Sequence, residues 1–222
     1  MTADAVERES MDFDVVIVGA GPAGLAAAIG IKQLAAETGK DVSVVVLEKG
    51  SEVGAHILSG AVMDPKAMDE LIPDWKEKGC PFETPVKNDT FLVLGPEGSI
   101  PLPVFLMPPM LHNHGMYIGS LGNVARWMGQ QAEALGVEIY PGFAASGLTY
   151  REDGSVKGVI AGVVGVEKNG EQGPNYSPGM ELNGKYVLIG EGVRGSLAKV
   201  LIRDFKLDKD SQPQKFGIGI KE

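Results

Sequence analysis

A glycine-rich turn placed directly after an apolar run constrains the fold of this chain more than any other feature. Residues 15–18 form an uninterrupted β-branched run, which is typical of a strand buried on both faces of a parallel sheet. Gly19, Gly21 and Gly24 follow it, and an alanine-rich segment comes next. This Gly-x-Gly-x-x-Gly spacing between a strand and a helix predicts a dinucleotide-binding βαβ unit.

Each position in that turn has a physical role. Gly19 permits the tight bend, Gly21 lets the backbone approach a pyrophosphate, and Gly24 lets the helix pack close to the strand. The helix begins with unpaired N–H groups and the positive end of its dipole, so it binds phosphate without a lysine. We therefore predict that the cofactor is bound by Gly19, Gly21, Pro22, Ala23 and Gly24.

An acidic residue ends the second apolar run. Residues 42–47 predict a second strand, and Glu48 follows it. A carboxylate there accepts hydrogen bonds from both hydroxyls of a ribose and disfavours a 2′-phosphate. Glu48 and its neighbour Lys49 are predicted to bind FAD or NAD, and glutamate rather than aspartate at this position favours FAD. The alternative is an ordinary glycine-rich turn of another α/β domain.

Composition excludes several classes of partner and site. The net charge of −9 argues against nucleic acid and against simple electrostatic attachment to anionic lipid, and a basic partner protein fits better. The single cysteine, Cys80, excludes an internal disulfide and cannot hold an iron–sulfur cluster. We predict Cys80 to be a small half-buried residue.

The first 11 residues have neither the apolar core of a signal peptide nor the Arg-rich character of a transit peptide. We therefore expect that the protein is initially located in the cytoplasm. Prolines and charges interrupt every apolar run before it reaches the length of a membrane-spanning helix, so membrane contact is predicted to be peripheral.

Beyond residue 50 the sequence no longer shows the alternation of apolar runs and glycine-rich turns that marks the first 50 residues. Residues 51–120 look like an insertion between sheet elements, with a short amphipathic piece at 65–75 and a proline-rich stretch at 101–111. A helix is then predicted from apolar residues at helical spacing, ending at Gly136: Leu121, Val124, Met128, Ala132 and Leu135. We place the cofactor-binding domain at residues 1–60 and 120–222, and an inserted region at 61–119.

Short strands follow the helix. A strand is predicted at 137–140, and three more at 147–150, 156–166 and 180–189. The turn signals Asp153-Gly154 and Asn169-Gly170 predict that the last three form an antiparallel meander. A second glycine-rich turn, Gly190-Glu191-Gly192, then opens a short helix.

This order of elements resembles flavoproteins of the para-hydroxybenzoate hydroxylase and glutathione reductase type. The resemblance implies an α/β, Rossmann-like FAD/NAD(P)-binding domain with an antiparallel β-meander and an inserted quinone-side region, and it implies FAD as the cofactor. In that group the second motif usually reads Gly-Asp-Gly, with the acid near the flavin's phosphates and ribityl chain. Glu191 stands in that place here, between Gly190 and Gly192.

Several longer strings narrow the resemblance to the electron transfer flavoprotein:ubiquinone oxidoreductase family, also called electron-transferring-flavoprotein dehydrogenases. These strings occupy residues 48–61, 73–79, 113–115, 127–138 and 217–222. The family takes electrons from reduced electron transfer flavoprotein with FAD and a [4Fe–4S] cluster, and passes them to ubiquinone. Its members continue well past residue 222, so we expect this chain to be their N-terminal portion, either a fragment or one half of a split enzyme, without the cluster ligands.

The resemblance also carries over individual residues. Ser59 and Gly60 match a segment beside the flavin, although a tight turn chosen for packing is the alternative. Arg126 matches a helix position where related flavoproteins place a phosphate-binding arginine, and a solvated surface charge is the plainer interpretation. No catalytic residue is identified, since His56 has no visible triad partner and the pair His112 and His114 lacks a third metal ligand.

The family sits on a membrane surface, which for a bacterial protein is the cytoplasmic side of the inner membrane. Two segments are candidates for that contact: residues 103–111, and an apolar face formed by Met68, Leu71, Ile72 and Trp75. Burial in the core is the alternative for both.

Three functions remain open on the sequence. The chain belongs to an active electron-transfer enzyme, or it is a non-catalytic FAD-binding module, or it is part of another FAD-dependent reductase or hydroxylase, such as one acting on isoprenoid chains. Electron transfer flavoprotein and ubiquinone are the partners that the resemblance implies.

Overall fold

The computed structural model describes residues 7–58, 60–213 and 215. In chain order its elements are β1 (Ser10–Val18), α1 (Pro22–Glu37), β2 (Val44–Glu48), β3 (Ala61–Met63), α2 (Lys66–Leu71), β4 (Thr84–Pro85), β5 (Phe91–Gly95), β6 (Gly98–Leu102), β7 (Tyr117–Gly119), α3 (Leu121–Ala134), β8 (Glu138–Pro141), β9 (Ala145–Tyr150), β10 (Val156–Ala161), β11 (Val164–Val166), β12 (Gln172–Ser177), β13 (Met180–Ile189) and α4 (Ser196–Phe205). Two 3₁₀ turns, Val104–Leu106 and Pro109–Leu111, follow β6.

A six-stranded sheet in the order β8-β2-β1-β13-β10-β9 organises the fold. The first four strands run parallel, whereas β10 pairs antiparallel with both β13 and β9. Val18 at the end of β1 lies beside Ile189 at the end of β13. Both glycine-rich turns therefore leave the sheet next to each other, at its carboxyl edge, where ligands of such sheets bind.

The central strand is buried on both faces, as predicted from its unbroken apolar run. Val15 and Ile17 pack into a core with α1 and α3, whereas Val16 and Val18 point to the other face and pack with Val159, Leu182 and Leu197. Full burial of each such side chain contributes about 1.5–3 kcal/mol to stability. β1 therefore provides a rigid support for the first glycine-rich turn, which follows it directly.

The segment between β2 and α3 forms two small sheets. One has the order β3-β7-β4, and the other is the β5-β6 hairpin. Ala61 pairs with Gly119, so the two ends of the predicted inserted region lie side by side. The proposed domain bounds themselves stay a prediction.

One expectation for this region is corrected. Met68, Ile72 and Trp75 do not form an exposed apolar face, because each is at most 6% exposed and packs into the core beneath α1 and α3. Leu71, the fourth residue of the predicted face, is partly buried against the same core. The Trp75 ring meets the rings of Phe82 and Tyr117 edge-on at 5.2 and 5.6 Å. Burial in the core, the alternative, is the correct interpretation of this amphipathic pattern.

Cys80 is also more buried than expected. It is 7% exposed rather than half-buried, and desolvation raises the pKa of its thiol to about 11. A thiol with that pKa is protonated at neutral pH, which makes it a poor nucleophile or metal ligand.

The C-terminal strands differ from prediction in one respect. The antiparallel arrangement of three strands, β9, β10 and β13, is confirmed, and Asp153-Gly154 makes the first turn. The strand predicted at 156–166 is instead broken at Gly162, which has φ +73°. Its second half pairs with β12 in a separate hairpin, and Asn169-Gly170 lies in the turn of that hairpin.

The predicted helix at 121–135 is confirmed as α3, whose apolar positions are buried except at its ends. Leu135 lies beyond the last helical residue and is 38% exposed. Among the described residues, no helix combines the length and apolar character needed to span a bilayer.

Candidate functional site

A cavity of about 580 Å³ opens at the carboxyl edge of the main sheet, within the size range of small-molecule and cofactor sites. Both glycine-rich turns, the end of β2 and the segment leading into β9 form its walls. The predicted site residues that line it are Gly19, Gly21, Pro22, Ala23, Glu48, Lys49, Gly190, Glu191 and Gly192. The fold therefore collects residues from three distant parts of the chain.

The three glycines of the first turn have different structural roles. Gly19 has φ +103°, and a Cβ there would lie 2.5 Å from the carbonyl oxygen of Gly190. A Cβ on Gly24 would overlap the carbonyl oxygen of Gly19. These two glycines let the turn, α1 and the second turn pack against each other, whereas the space around Gly21 is open, with no heavy atom within 4 Å of a Cβ.

Helix α1 presents an open N-terminus to this cavity. Its N-cap is Gly21, which makes no side-chain capping bond, and the first turn of the helix carries no acidic residue. The unpaired N–H groups and the dipole therefore remain available to an anion. Gly21 has φ −78°, so the site is left bare by the absence of a side chain rather than by unusual backbone geometry.

Glu48 is held in a fixed position beside the first turn. Its Oε2 accepts a hydrogen bond from the Ala20 amide at 3.1 Å, and its Oε1 accepts one from the Gly50 amide at 2.6 Å. A carboxylate has about four acceptor positions, so each oxygen retains capacity for a further donor. A carboxylate held in this position can accept hydrogen bonds from the two adjacent hydroxyl groups of a ribose.

Glu191 faces the cavity but is engaged elsewhere. Its Oε1 accepts from the Ser196 amide at 3.1 Å and its Oε2 from the Ala198 amide at 2.9 Å, so the side chain caps α4. Gly195 makes room for it, because a Cβ there would lie 2.5 Å from Oε2. The carboxylate occupies the position that an external anion would take at α4.

Other predicted residues lie outside the cavity lining. Gly24 lies behind the first turn, and Gly60 is exposed without lining the cavity. Arg126 is not a lining residue, since its guanidinium pairs with Glu52 at 2.9 Å and bonds the Asn123 side chain at 3.0 Å. Ser59 lies outside the described residues. Contacts of these residues with a cofactor stay predictions.

Sequence reasoning missed several residues of the lining. His56, Phe143, Arg194 and Ser196 all face the cavity. Phe143 and His56 lie in connecting segments whose course depends on tertiary packing, and no local spacing marks them. Arg194 and Ser196 follow the second glycine-rich turn, and their proximity to that turn was the signal available.

The remaining histidines show no metal arrangement. His112 Nε2 lies 3.1 Å from the carbonyl oxygen of Val104. Within residues 7–58, 60–213 and 215, no three His, Cys, Asp or Glu side chains are placed to share a metal ion.

Comparison with known proteins agrees with this geometry. Residues 17–86 match the family model for an NAD(P)-binding Rossmann-like domain. A probable electron transfer flavoprotein-ubiquinone oxidoreductase of Acinetobacter baylyi is 57% identical over 219 residues, which are 98% of this chain and 38% of that protein. The electron transfer flavoprotein-ubiquinone oxidoreductase of Pseudomonas aeruginosa is 56% identical over 98% of this chain and 40% of that protein.

The chain thus spans about two fifths of the length of the curated relatives it matches. Among solved structures, CtdE in complex with FAD aligns with a TM-score of 0.55 and 17% identity, covering 86% of this chain and 41% of that one. A likeness at this identity shows the fold, and it confirms the Rossmann-like class predicted from the sequence.

Proposed function

We propose that this chain is the FAD-binding portion of an electron transfer flavoprotein-ubiquinone oxidoreductase, which moves electrons from reduced electron transfer flavoprotein to ubiquinone. The observation that carries the proposal is identity of 57% over 98% of the chain to a curated protein of that name. Identity of this extent preserves fold and site together, whereas the other FAD-dependent reductases and hydroxylases considered above share the fold alone.

The residues of the cavity fit the ADP half of FAD. Gly21 leaves the backbone bare beside the open N-terminus of α1, which suits a diphosphate. Glu48 is pre-positioned by two backbone donors to accept hydrogen bonds from the ribose hydroxyls, and its negative charge opposes a 2′-phosphate. When bound, the flavin supplies the redox chemistry of the enzyme.

The chain's own residues bind and orient rather than react. The lining residues supply backbone N–H donors, the fixed carboxylate of Glu48 and apolar contacts, which suit a cofactor bound at the sheet edge. With a single cysteine in 222 residues, the chain does not itself ligate a [4Fe–4S] cluster. The transfer of electrons through such a cluster belongs to the rest of the proposed enzyme.

Exposed apolar side chains support peripheral contact with the membrane that holds ubiquinone. In the segment at residues 103–111, Phe105 is 80% and Met110 is 84% exposed, and Leu94 in the adjoining β5-β6 hairpin is 76% exposed. Contiguous exposed apolar groups of this kind mark binding surfaces for lipid or protein. In a bacterium, this surface would meet the cytoplasmic face of the inner membrane.

The flavin assignment is tested with the visible spectrum of the purified chain after incubation with FAD and removal of excess nucleotide. We expect flavin absorption near one FAD per chain, with the released cofactor identified by chromatography. Retention of NAD or NADP instead, or a folded chain that takes up no flavin at micromolar FAD, would overturn the assignment.

The membrane surface is tested by co-sedimentation with vesicles of bacterial phospholipid. Phe105→Ser is expected to reduce the bound fraction at least twofold, because a nearly fully exposed aromatic side chain is removed. Leu34→Ser is the matched control, since Leu34 is 60% exposed on α1. Equal loss of binding in both variants would contradict the assignment of this surface.

A further inference from the structure

The segment of residues 51–57, which leads from β2 toward β3, is fastened to one face of α3. Gly54 has φ +85°, and a Cβ there would overlap the carbonyl oxygen of Gly122. Backbone therefore meets backbone at this contact, and only glycine permits it. This close contact fixes the distance between residues 51–57 and the first turn of α3.

Two further contacts extend the attachment along the same helix face. Val53 packs over Gly129, where its methyl groups lie 3.5 Å from the position of a Cβ. Arg126 forms an ion pair with Glu52 at 2.9 Å. Residues 122, 126 and 129 are spaced by four and three, so they lie on one side of α3 and hold the segment at three successive points.

His56 is the side chain that this attachment directs toward the site. It follows Gly54 by two residues, it is exposed, and it lines the same cavity as Gly21 and Ala23 at the N-terminus of α1. Within the described part of the chain, its ring has no hydrogen-bond partner. An imidazole placed in this way is available to a ligand.

We propose that His56 binds the diphosphate of the cofactor and that Arg126 is a positioning residue, acting through Glu52 and the 51–57 segment rather than on phosphate itself. The inference rests on the proposed function, because it names a further contact to the same cofactor. It reassigns Arg126 from phosphate ligand to the group that fixes the segment carrying that ligand.

The charge environment gives the proposal a pH signature. The other charged side chains that face His56 across the cavity are Glu48, Lys49, Glu191 and Arg194. Among the ordinary side chains, histidine is the one that gains a positive charge between pH 8 and pH 5. Because an imidazolium attracts a diphosphate, we expect FAD binding to tighten as the pH falls from 8 to 6.

The primary experiment measures FAD binding to the chain by calorimetry at pH 6 and pH 8, together with NMR spectra of the histidine ring signals. ADP binding is measured at pH 8 alone, because the terminal phosphate of ADP changes its own charge between these two pH values. We expect FAD to bind severalfold tighter at pH 6 than at pH 8, because the imidazolium adds a favourable charge interaction with the diphosphate. His56→Gln assigns the ring signal and is expected to abolish most of the pH dependence. A His56 ring signal that saturating FAD leaves at its original chemical shift would overturn the proposal.

Arg126 is tested with a charge exchange. Arg126→Ala is expected to weaken FAD binding about threefold to fivefold and to reduce the pH dependence of FAD binding, in keeping with an exposed ion pair. The double variant Glu52→Arg with Arg126→Glu restores both. Lys78→Ala, which removes an ion pair of similar exposure to Asp74 in the segment that follows α2, is the control and changes neither.

The outcomes separate the two proposals. If Arg126 were a direct phosphate ligand, the double variant would stay weak, and the positioning role would be overturned. If nucleotide binds equally at both pH values in the wild-type chain and in His56→Gln, this inference fails while the proposed function stands. If neither FAD nor ADP binds at any pH, the proposed function fails and takes this inference with it.

Discussion

The two glycine-rich turns lie side by side at the carboxyl edge of the sheet, and they treat their helices in opposite ways. At the first turn, α1 begins without a side-chain cap and without an acidic residue. At the second turn, the carboxylate of Glu191 accepts hydrogen bonds from two amides at the start of α4. One helix is left open to an external anion, and the other already holds an anion from its own chain.

The difference shows why a glycine-rich turn before a helix does not by itself define a phosphate site. Both turns satisfy the steric requirement, because Gly19 lets the carbonyl group of Gly190 approach closely and Gly195 makes room for the Glu191 side chain. Only the first leaves its N–H groups unpaired. We therefore expect the electrostatic state of the helix end, rather than the glycine count, to decide where a diphosphate binds.

The largest expected effect tests whether the first turn is a steric unit. Gly24→Ala places a Cβ against the carbonyl oxygen of Gly19, which is backbone and cannot rotate away. We expect a loss of about 3 kcal/mol in the free energy of unfolding, measured with urea. Gly98→Ala is the control, because a Cβ there meets no heavy atom within 4 Å, and a loss of equal size in this control would contradict the steric argument.

The next effect separates binding from folding within the same turn. Gly21→Ala adds a methyl group to open space at φ −78°, so thermal unfolding of the nucleotide-free chain should be unchanged. The methyl group occupies the approach of the diphosphate, and FAD or ADP affinity should fall about tenfold or more, equivalent to about 1.4 kcal/mol. Unchanged affinity in calorimetry would show that the diphosphate does not approach this backbone.

The second turn is tested by removing its internal anion. Glu191→Ala is expected to lower the free energy of unfolding by about 1 kcal/mol, as loss of a helix N-cap does. Glu191→Gln, which keeps an acceptor without the charge, should recover part of that loss. Nucleotide affinity should fall less than in Gly21→Ala, and a larger fall would indicate that Glu191 contacts the cofactor directly.

Features set by short-range spacing were predictable from the sequence. The buried run of β1, the order of Gly19, Gly21 and Gly24, and the acid at the end of β2 depend on neighbours along the chain. Contacts that cross the fold were not predictable in this way. Arg126 meets Glu52 across 74 positions of sequence, and no periodicity pairs those two residues.

The amphipathic segment around α2 illustrates a second limit. A stripe formed by Met68, Ile72 and Trp75 has the same pattern whether it meets lipid or core. Packing against Phe82 and Tyr117 decides between them, and that packing depends on strands placed later in the chain. The role of Glu191 was likewise hidden, because its capping partners are identified only when the course of α4 is known.

The smallest expected effect is at Asp14 in β1, on the side of the sheet away from the two turns, and it provides a reference for both of them. Lys185 and Ser43 hydrogen-bond Asp14 and lower its pKa from 3.8 to about 2. A carboxyl group with a lowered folded-state pKa contributes stability that is present above pH 4 and is lost as the pH falls toward 2. Asp14→Asn should therefore be slightly less stable than wild type at pH 7, and the difference should shrink as the pH falls through about 2, measured by urea unfolding. Because Asp14 lies away from the cavity, FAD affinity should be unchanged. A change in affinity would show that the two edges of the sheet are coupled, and the contrast between the two turns would then no longer be local.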